Sequence, residues 1–405
     1  MHLPKRTVFG YHDAMSRTVT TIHTARQPSA LQPLEGGCAH GDVSRPRQRA
    51  VCSRLPTVWL GFLLACVALL AAGPLRALPV DGLYNQVIAV SDQSDGERRR
   101  AYREAFAQVI VKVSGERRWL EHPAVRGALA AADNYVAEVG YRSTGLETAI
   151  DVRFDQQLVD DLLVRAEIPV WSRNRASILL WLTVQNADGR RVMLGSSSEH
   201  ELQDQAREFA AERGVPVLFP LLDLVDRRMV SLDQSWAMDV TALQSVAERY
   251  GADSILAARL LEMPNGELVG LWQFIFRDQI QTFDHVSGAD ERYVDMPLDR
   301  ATSALASHFA LLPRDLARED EVLLQVDGID DLANHMALIR YLESLAVVRD
   351  VRVAALRSEG LDLHVRMVGD RYRLAEIISL DRDLRPEGFT LGGTIGDTLH
   401  YRWTR

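Results

Sequence analysis

From residue 80 onward apolar positions recur with two periods, near 3.6 and near 2, and the alternation between them divides the chain. Tyr84–Val90 alternates as a strand does. Tyr102, Ala105, Phe106, Val109, Ile110 and Val113 repeat at helical spacing, and Gly115 follows as a C′ glycine would. Lys112 falls in the last turn of that helix, where a cation suits the carbonyl end of the dipole. His122-Pro123 is expected to open a second helix that reaches about Val139. Ile150, Val152 and Phe154 alternate with Asp151 and Arg153 as a half-buried strand, and Leu158, Leu162, Leu163 and Ala166 mark a helix closed by Pro169.

The next stretch reads differently. Ile178–Val184 is nearly all apolar, as a strand covered on both faces is. Glu199–Arg213 is a polar-rich helix ended by Gly214, and Val215–Leu222 is expected to be a second apolar strand. Ala242–Tyr250 is a helix with Gly251 beyond it. Ser254–Leu261, Leu268–Phe276 and Gln279–His285 are strands, and Pro297 opens a helix to about Leu312. After Arg314–Asp320, a charged linker, the order is strand (321–326), helix capped by Asp330, strands (350–356, 361–367), helix (372–380) and strand (399–403). The expected fold class is therefore α+β / α/β multidomain. An α+β N-terminal unit occupies 80–170 and an α/β central unit with an antiparallel extension occupies 175–313. A ferredoxin-like βαββαβ C-terminal unit occupies 320–405.

The first 77 residues belong to none of these units. Thr57–Gly73 carries no charge; Arg47, Arg49 and Arg54 precede it and Arg76-Ala77 follows. A basic segment, an apolar run and a small residue describe a secretory signal, so 51–77 reads as a signal peptide cut after Ala77. The alternatives are a short membrane anchor through 57–73 and a lipid on Cys66 in Leu63-Leu64-Ala65-Cys66. Residues 1–50 lack apolar periodicity; they read as a disordered leader or as the product of a mis-called start.

Charge sharpens this picture. The chain carries a formal −9, yet its first 77 residues are basic, so residues 78–405 carry −15. A body so acidic repels phosphate backbones, and no nucleic-acid partner is expected. Cys38, Cys52 and Cys66 all precede residue 78, so the body has no disulfide, thiolate metal site or cysteine nucleophile. Lys5 and Lys112 are the only lysines, and no phosphate-binding GxxxxGK[ST] loop exists. The histidines form no HExxH or HxH, there is no GxSxG, and Gly392-Gly393-Thr394 lacks the rest of a dinucleotide loop. Gly195-Ser196-Ser197-Ser198-Glu199 reads as a serine-capped helix start rather than a nucleophile loop. Neither cofactor nor metal nor catalytic residue is expected.

One segment retains chemical interest. Phe219-Pro220-Leu221-Leu222-Asp223-Leu224-Val225-Asp226 ends an apolar run with two acids three apart, and Asp233 and Trp236 follow. Acids at the carboxyl end of a strand beside a tryptophan suit a ligand or partner surface, because sheet-end crevices collect sites. The plain alternative is that they cap turns and a helix, with Trp236 in the core. A third use is acid–base work by the paired carboxylates, in an unrecognised hydrolase that uses Asp223 and Asp226.

Several stretches resemble an uncharacterised proteobacterial envelope family, the domain of unknown function numbered two thousand and sixty-six. They are Arg98–Ala101 with Val109–Gly115, Arg213-Gly214-Val215-Pro216, Pro220-Leu221-Leu222-Asp223 and Arg249-Tyr250-Gly251-Ala252-Asp253. The likeness spans about 80–312 and implies a bacterial exported protein; it brings no catalytic residues. The second unit also looks like the α/β domain of secretion-accessory proteins such as the Tol-system translocation protein, a likeness of fold only. The expected function is a non-enzymatic periplasmic adaptor or assembly factor with an unidentified envelope protein as partner. Membrane contact is expected only through 57–73 if that run is not cleaved. The second expectation is a module that binds a small ligand or glycan through the Asp223/Asp226/Trp236 loop, with Trp272 assisting.

Overall fold

A computed structural model describes residues 80, 82–144, 147–286, 292–315, 318–381, 383–388 and 398–404, all within one compact body. The expectations for residues 1–50, for Thr57–Gly73 and for Ala77 lie outside the described residues. The fold is α+β, with mixed helices and several sheets in more than one unit.

The first sheet has the order β1-β3-β2, from β1 (Asn85–Val90), β2 (Val136–Thr144) and β3 (Glu147–Phe154), antiparallel throughout. Helix α1 (Asp95–Ser114), capped by Ser94, buries Phe106, Val109, Ile110 and Val113 among Ile150, Val152 and Phe154. Helices α2 (Pro123–Ala130) and α3 (Gln156–Arg165) complete the unit. The helix expected to run to Val139 stops at Ala130; a 3₁₀ turn (Ala132–Tyr135) follows, and residues from Val136 pair with β3. Tertiary pairing overrides local pattern there, because Val136 and Val139 gain a covered sheet face.

The central sheet runs β5-β4-β7-β8-β9 with β6 beside β4. It comprises β4 (Ile178–Gln185), β5 (Arg191–Leu194), β6 (Val217–Leu218), β7 (Ser254–Glu262), β8 (Leu268–Phe276) and β9 (Gln279–Val286). β4 is parallel to β7, and β7, β8 and β9 form the antiparallel extension. One face packs on α4 (Glu201–Arg213) and α8 (Asp295–Phe309); the other packs on α5 (Leu224–Met229), α6 (Leu232–Ala237) and α7 (Val240–Tyr250). The strand expected over Val215–Leu222 shrinks to the two residues of β6. Pro216 and Pro220 have no N–H to give a ladder, so pairing ends between them. His200, rather than a serine, caps α4.

The C-terminal sheet runs β11-β12-β10-β14-β13: β10 (Glu319–Asp327), β11 (Val348–Arg357), β12 (Gly360–Val368), β13 (Leu384–Pro386) and β14 (Thr398–Trp403). Helices α9 (Leu332–Glu343) and α10 (Arg371–Ser379) cover one face. The βαββαβ order is present with one addition. The short β13 reverses the chain before β14, so β14 lies parallel to β10.

The C-termini of α1 and α4 converge, and two buried arginines, Arg175 and Arg213, meet their carbonyl ends. Gly115 and Gly214 close the two helices in the left-handed region, at φ 81° and 61°. A side chain at Gly115 would run into Ala306 of α8. Arg175 donates to the carbonyl oxygens of Lys112, Trp171, Ser172, Arg213 and Gly214 at 2.7–3.1 Å. Arg213 donates to Gly115 and pairs with Asp299. Lys112 Nζ donates to Gln86 Oε1 (2.8 Å) and to the Asn85 and Gly82 carbonyls. Helix-end carbonyls carry partial negative charge, so cations belong there.

Burial, with Arg175 nearby, pushes the Lys112 ammonium down from its ordinary 10.5 to about 8. The unfolded chain therefore holds this proton between about pH 8 and 10.5 while the folded protein releases it. Stability contributed through Lys112 must then rise with pH across that window. Relative to Lys112→Met, the wild type should gain about 2 kcal/mol between pH 7 and pH 9.5, read from denaturant midpoints at both pH values. Parallel pH profiles for the two proteins would contradict this.

Candidate functional site

The candidate loop lies on the α5–α7 side of the central sheet. Asp223 is the N-cap of α5; its Oδ1 accepts from the Val225 and Asp226 N–H groups, each at 2.9 Å. Leu222 before it adopts the left-handed region (φ 53°). Gly195 permits that crossing, because a side chain there would strike Leu222 and the Pro220 carbonyl, which accepts from Ser196 N–H at 2.7 Å. Ser231 closes a capping box with Gln234 at the start of α6. Asp239 caps α7.

The two acids meet α7 from opposite degrees of burial. Asp226 is wholly buried; its Oδ2 accepts from Leu222 N–H (2.8 Å) and from the Tyr250 hydroxyl (2.5 Å), and its other oxygen pairs with Arg249. Arg249 also forks onto Asp223, at 2.9 and 2.5 Å. Tyr250 in turn accepts from Leu221 N–H at 2.7 Å. The hydrogen bond from Arg249 holds the exposed Asp223 carboxyl at about 2. Burial, then the bond to Asp226, pushes the Tyr250 hydroxyl up to about 12. Every one of these donors comes from the loop itself or from the last turn of α7, so the pair is engaged in holding its own turn.

Asp233 and Trp236 stand apart from that cluster on α6. Asp233 is exposed in the first turn. Trp236 is partly buried, with the Arg191 guanidinium 4.2 Å over its ring. Buried Ser235 between them anchors α6, accepting from Trp181 Nε1 at 2.8 Å and bonding Thr183. Trp272 is wholly buried among the α4 and α8 side chains, on the other face of the sheet, so the structure does not bring it to the loop.

Arg249 and Tyr250 are the partners that periodicity misses: they sit 23 and 24 positions from Asp226. The apolar rim was equally hidden. Leu224 is 74% exposed and Leu221 50%, and Val225 and Leu232 are exposed as well. Four large apolar side chains are thus exposed between Leu221 and Leu232.

A second concavity, of about 1030 Å³, opens between the β8–β9 turn and α10. Glu376 of α10 organises it. Its carboxylate takes His308 of α8 (2.7 Å), Arg373 (2.8 Å) and Arg277 of the β8–β9 turn. Burial alone would raise the Glu376 carboxyl, but hydrogen bonds from His308, Arg373 and Arg277 outweigh it and hold the group below the usual range. This network joins the central and C-terminal sheets. Among the described residues, no group of three His, Cys, Asp or Glu is placed to hold a metal ion.

A family described as Domain of unknown function (DUF8605) matches residues 77–172, which correspond to the first sheet and its helices. None of the curated proteins matches the chain.

Proposed function

We propose that this chain is an exported bacterial envelope protein that acts without catalysis, as an adaptor or assembly factor, by binding a protein partner through the surface from Leu221 to Leu232. The observation that carries the reading is the exposure of Leu221, Leu224, Val225 and Leu232 on a loop whose acids are already bonded internally. Apolar residues held out of the core by a fixed turn favour a protein surface over a small solute, since they offer area rather than directed polar contacts. The Thr57–Gly73 run supports export, and the envelope-family resemblance supports the bacterial setting. No helix among the described residues is long and apolar enough to cross a membrane.

The loop as a ligand or glycan site is the second reading. It rests on exposed Asp233 beside Trp236, and it requires Arg191 to leave the indole face. The hydrolytic use of Asp223 and Asp226 has less support, because a base must be free to take a proton and both carboxylates are filled.

The test is Leu221→Asp with Leu224→Asp in the tagged full chain. Both positions are half exposed or more, so stability should change by under about 1 kcal/mol. Capture of the partner that copurifies with the wild type should fall about tenfold or more. Unchanged capture by the folded variant would sink the reading, and a ligand-induced thermal shift lost in Trp236→Ala would favour the second. Export predicts a mature chain whose first residue is Leu78.

A further inference from the structure

β11 is an edge strand: it pairs with β12 on one side, and among the described residues no strand pairs with the other. Such an edge is a template for another chain. Its apolar residues are not covered. Val353 is 44% exposed and Leu356 73%, and on α9 Leu332 is 74% and Met336 48%, one turn apart. Leu332 and Leu356 belong to the same end of the sheet. The Gly328 and Ile329 N–H groups both donate to the Glu359 carbonyl, and Asp327 and Arg357 share Gly360 as partner.

The faces of β11 are not regular, and the irregularity selects the occupant. Val351 and Val353 sit opposite Val365 and Leu363, on the helix side. The register then shifts between Val353 and Ala355, so that Ala355 sits opposite Asp362 and Leu356 opposite Leu361. In a regular strand, residues five apart point to opposite faces. Here the extra residue at Ala354 puts Val351 and Leu356 on the same face.

We infer that β11 pairs antiparallel with β11 of a second copy, about a two-fold axis between Val353 and Ala354, to make a homodimer. That axis sets Val351 against Leu356 on the helix side and Arg352 against Ala355 on the other. It also sets Asp350 against Arg357, twice by symmetry, and opposes no like charges; Arg349 meets Ser358. Asp350 and Arg357 retain 38% and 36% side-chain exposure beside their internal partners, so both remain accessible to a second strand. The apolar strip of Leu332, Met336 and Leu356 then continues across the axis. An isologous contact of this kind uses one patch twice, which a single edge strand supplies. The inference does not depend on the partner surface at Leu221–Leu232.

The body's lack of cysteine makes the test clean. In the full chain with Cys38, Cys52 and Cys66 replaced by Ser, Ala354→Cys should form an intermolecular disulfide under mild oxidation, while Ala187→Cys, in an exposed turn, should not. Sedimentation equilibrium should give a dimer, and Leu356→Glu should raise its dissociation constant about tenfold or more without changing the circular dichroism. A monomer at every concentration overturns the inference. So does a dimer that Ala354→Cys fails to cross-link, or one that Leu356→Glu leaves unchanged.

Discussion

Asp226→Ala should lower stability by about 3 kcal/mol or more. The change strips a buried carboxylate from three donors and leaves the Tyr250 hydroxyl, the Leu222 N–H and one arm of Arg249 without their acceptor. Asp226→Asn should recover part of the loss. Its carbonyl oxygen can still accept from Leu222 or Tyr250, but it no longer balances Arg249. Asp223→Ala, a cap at the surface, should cost only about 1 kcal/mol. Denaturant midpoints of the three variants measure these differences. The order matters more than the values. A catalytic pair would lose activity with little change in stability, whereas a turn-holding pair loses stability in proportion to burial. An Asp226→Ala protein as stable as the wild type would show that the cluster is not structural.

Arg175→Met should be at least as damaging, at about 3–5 kcal/mol. One guanidinium serves five carbonyl oxygens from three segments of chain, and it sits over the Trp171 ring with 4.2 Å to the centroid. Methionine fills similar volume but leaves those carbonyls buried without a donor. Burial, then the like charge of Arg213, presses the Arg175 guanidinium below its ordinary value. The carbonyl ends of α1 and α4 are what make a cation tolerable there. Arg175→Lys should not restore stability, since three donors on a point charge cannot copy a planar fork. Because the residue ties the first sheet's helix to the central unit, its loss should also separate their unfolding transitions, visible by calorimetry. A single unshifted transition would contradict that role.

These effects show where sequence stops. The main helices were legible because spacing and punctuation agree: Gly115, Gly214 and Gly251 all take the left-handed conformation just past α1, α4 and α7. The strands β4, β7, β8 and β9 were legible from unbroken apolar runs or alternation. What failed was local pattern overruled from a distance. β2 follows α2 closely, and only pairing with β3 makes it a strand; Val215–Leu222 is apolar enough for a strand but carries two prolines. β13 is three residues long and leaves no signal. At the candidate loop the capping roles of Asp223 and Ser231 could be read from residue type. The closure by Arg249 and Tyr250 could not, since it depends on how α7 returns over the loop. Nor could exposure. Leu224 reads as core in any apolar pattern, yet the Asp223 cap turns it outward.

Site-specific photo-crosslinking in living cells tests the partner surface most directly. It also avoids amine chemistry, which in residues 78–405 would find only buried Lys112. A photoreactive residue at Leu224, and separately at Leu232, should give one discrete adduct with the same envelope protein. A probe at Asp188, in the exposed turn between β4 and β5, should give none, and Leu221→Asp should abolish the Leu224 adduct. Equal labelling from Asp188 and Leu224, or a Leu224 adduct indifferent to Leu221→Asp, would contradict a partner bound at this loop.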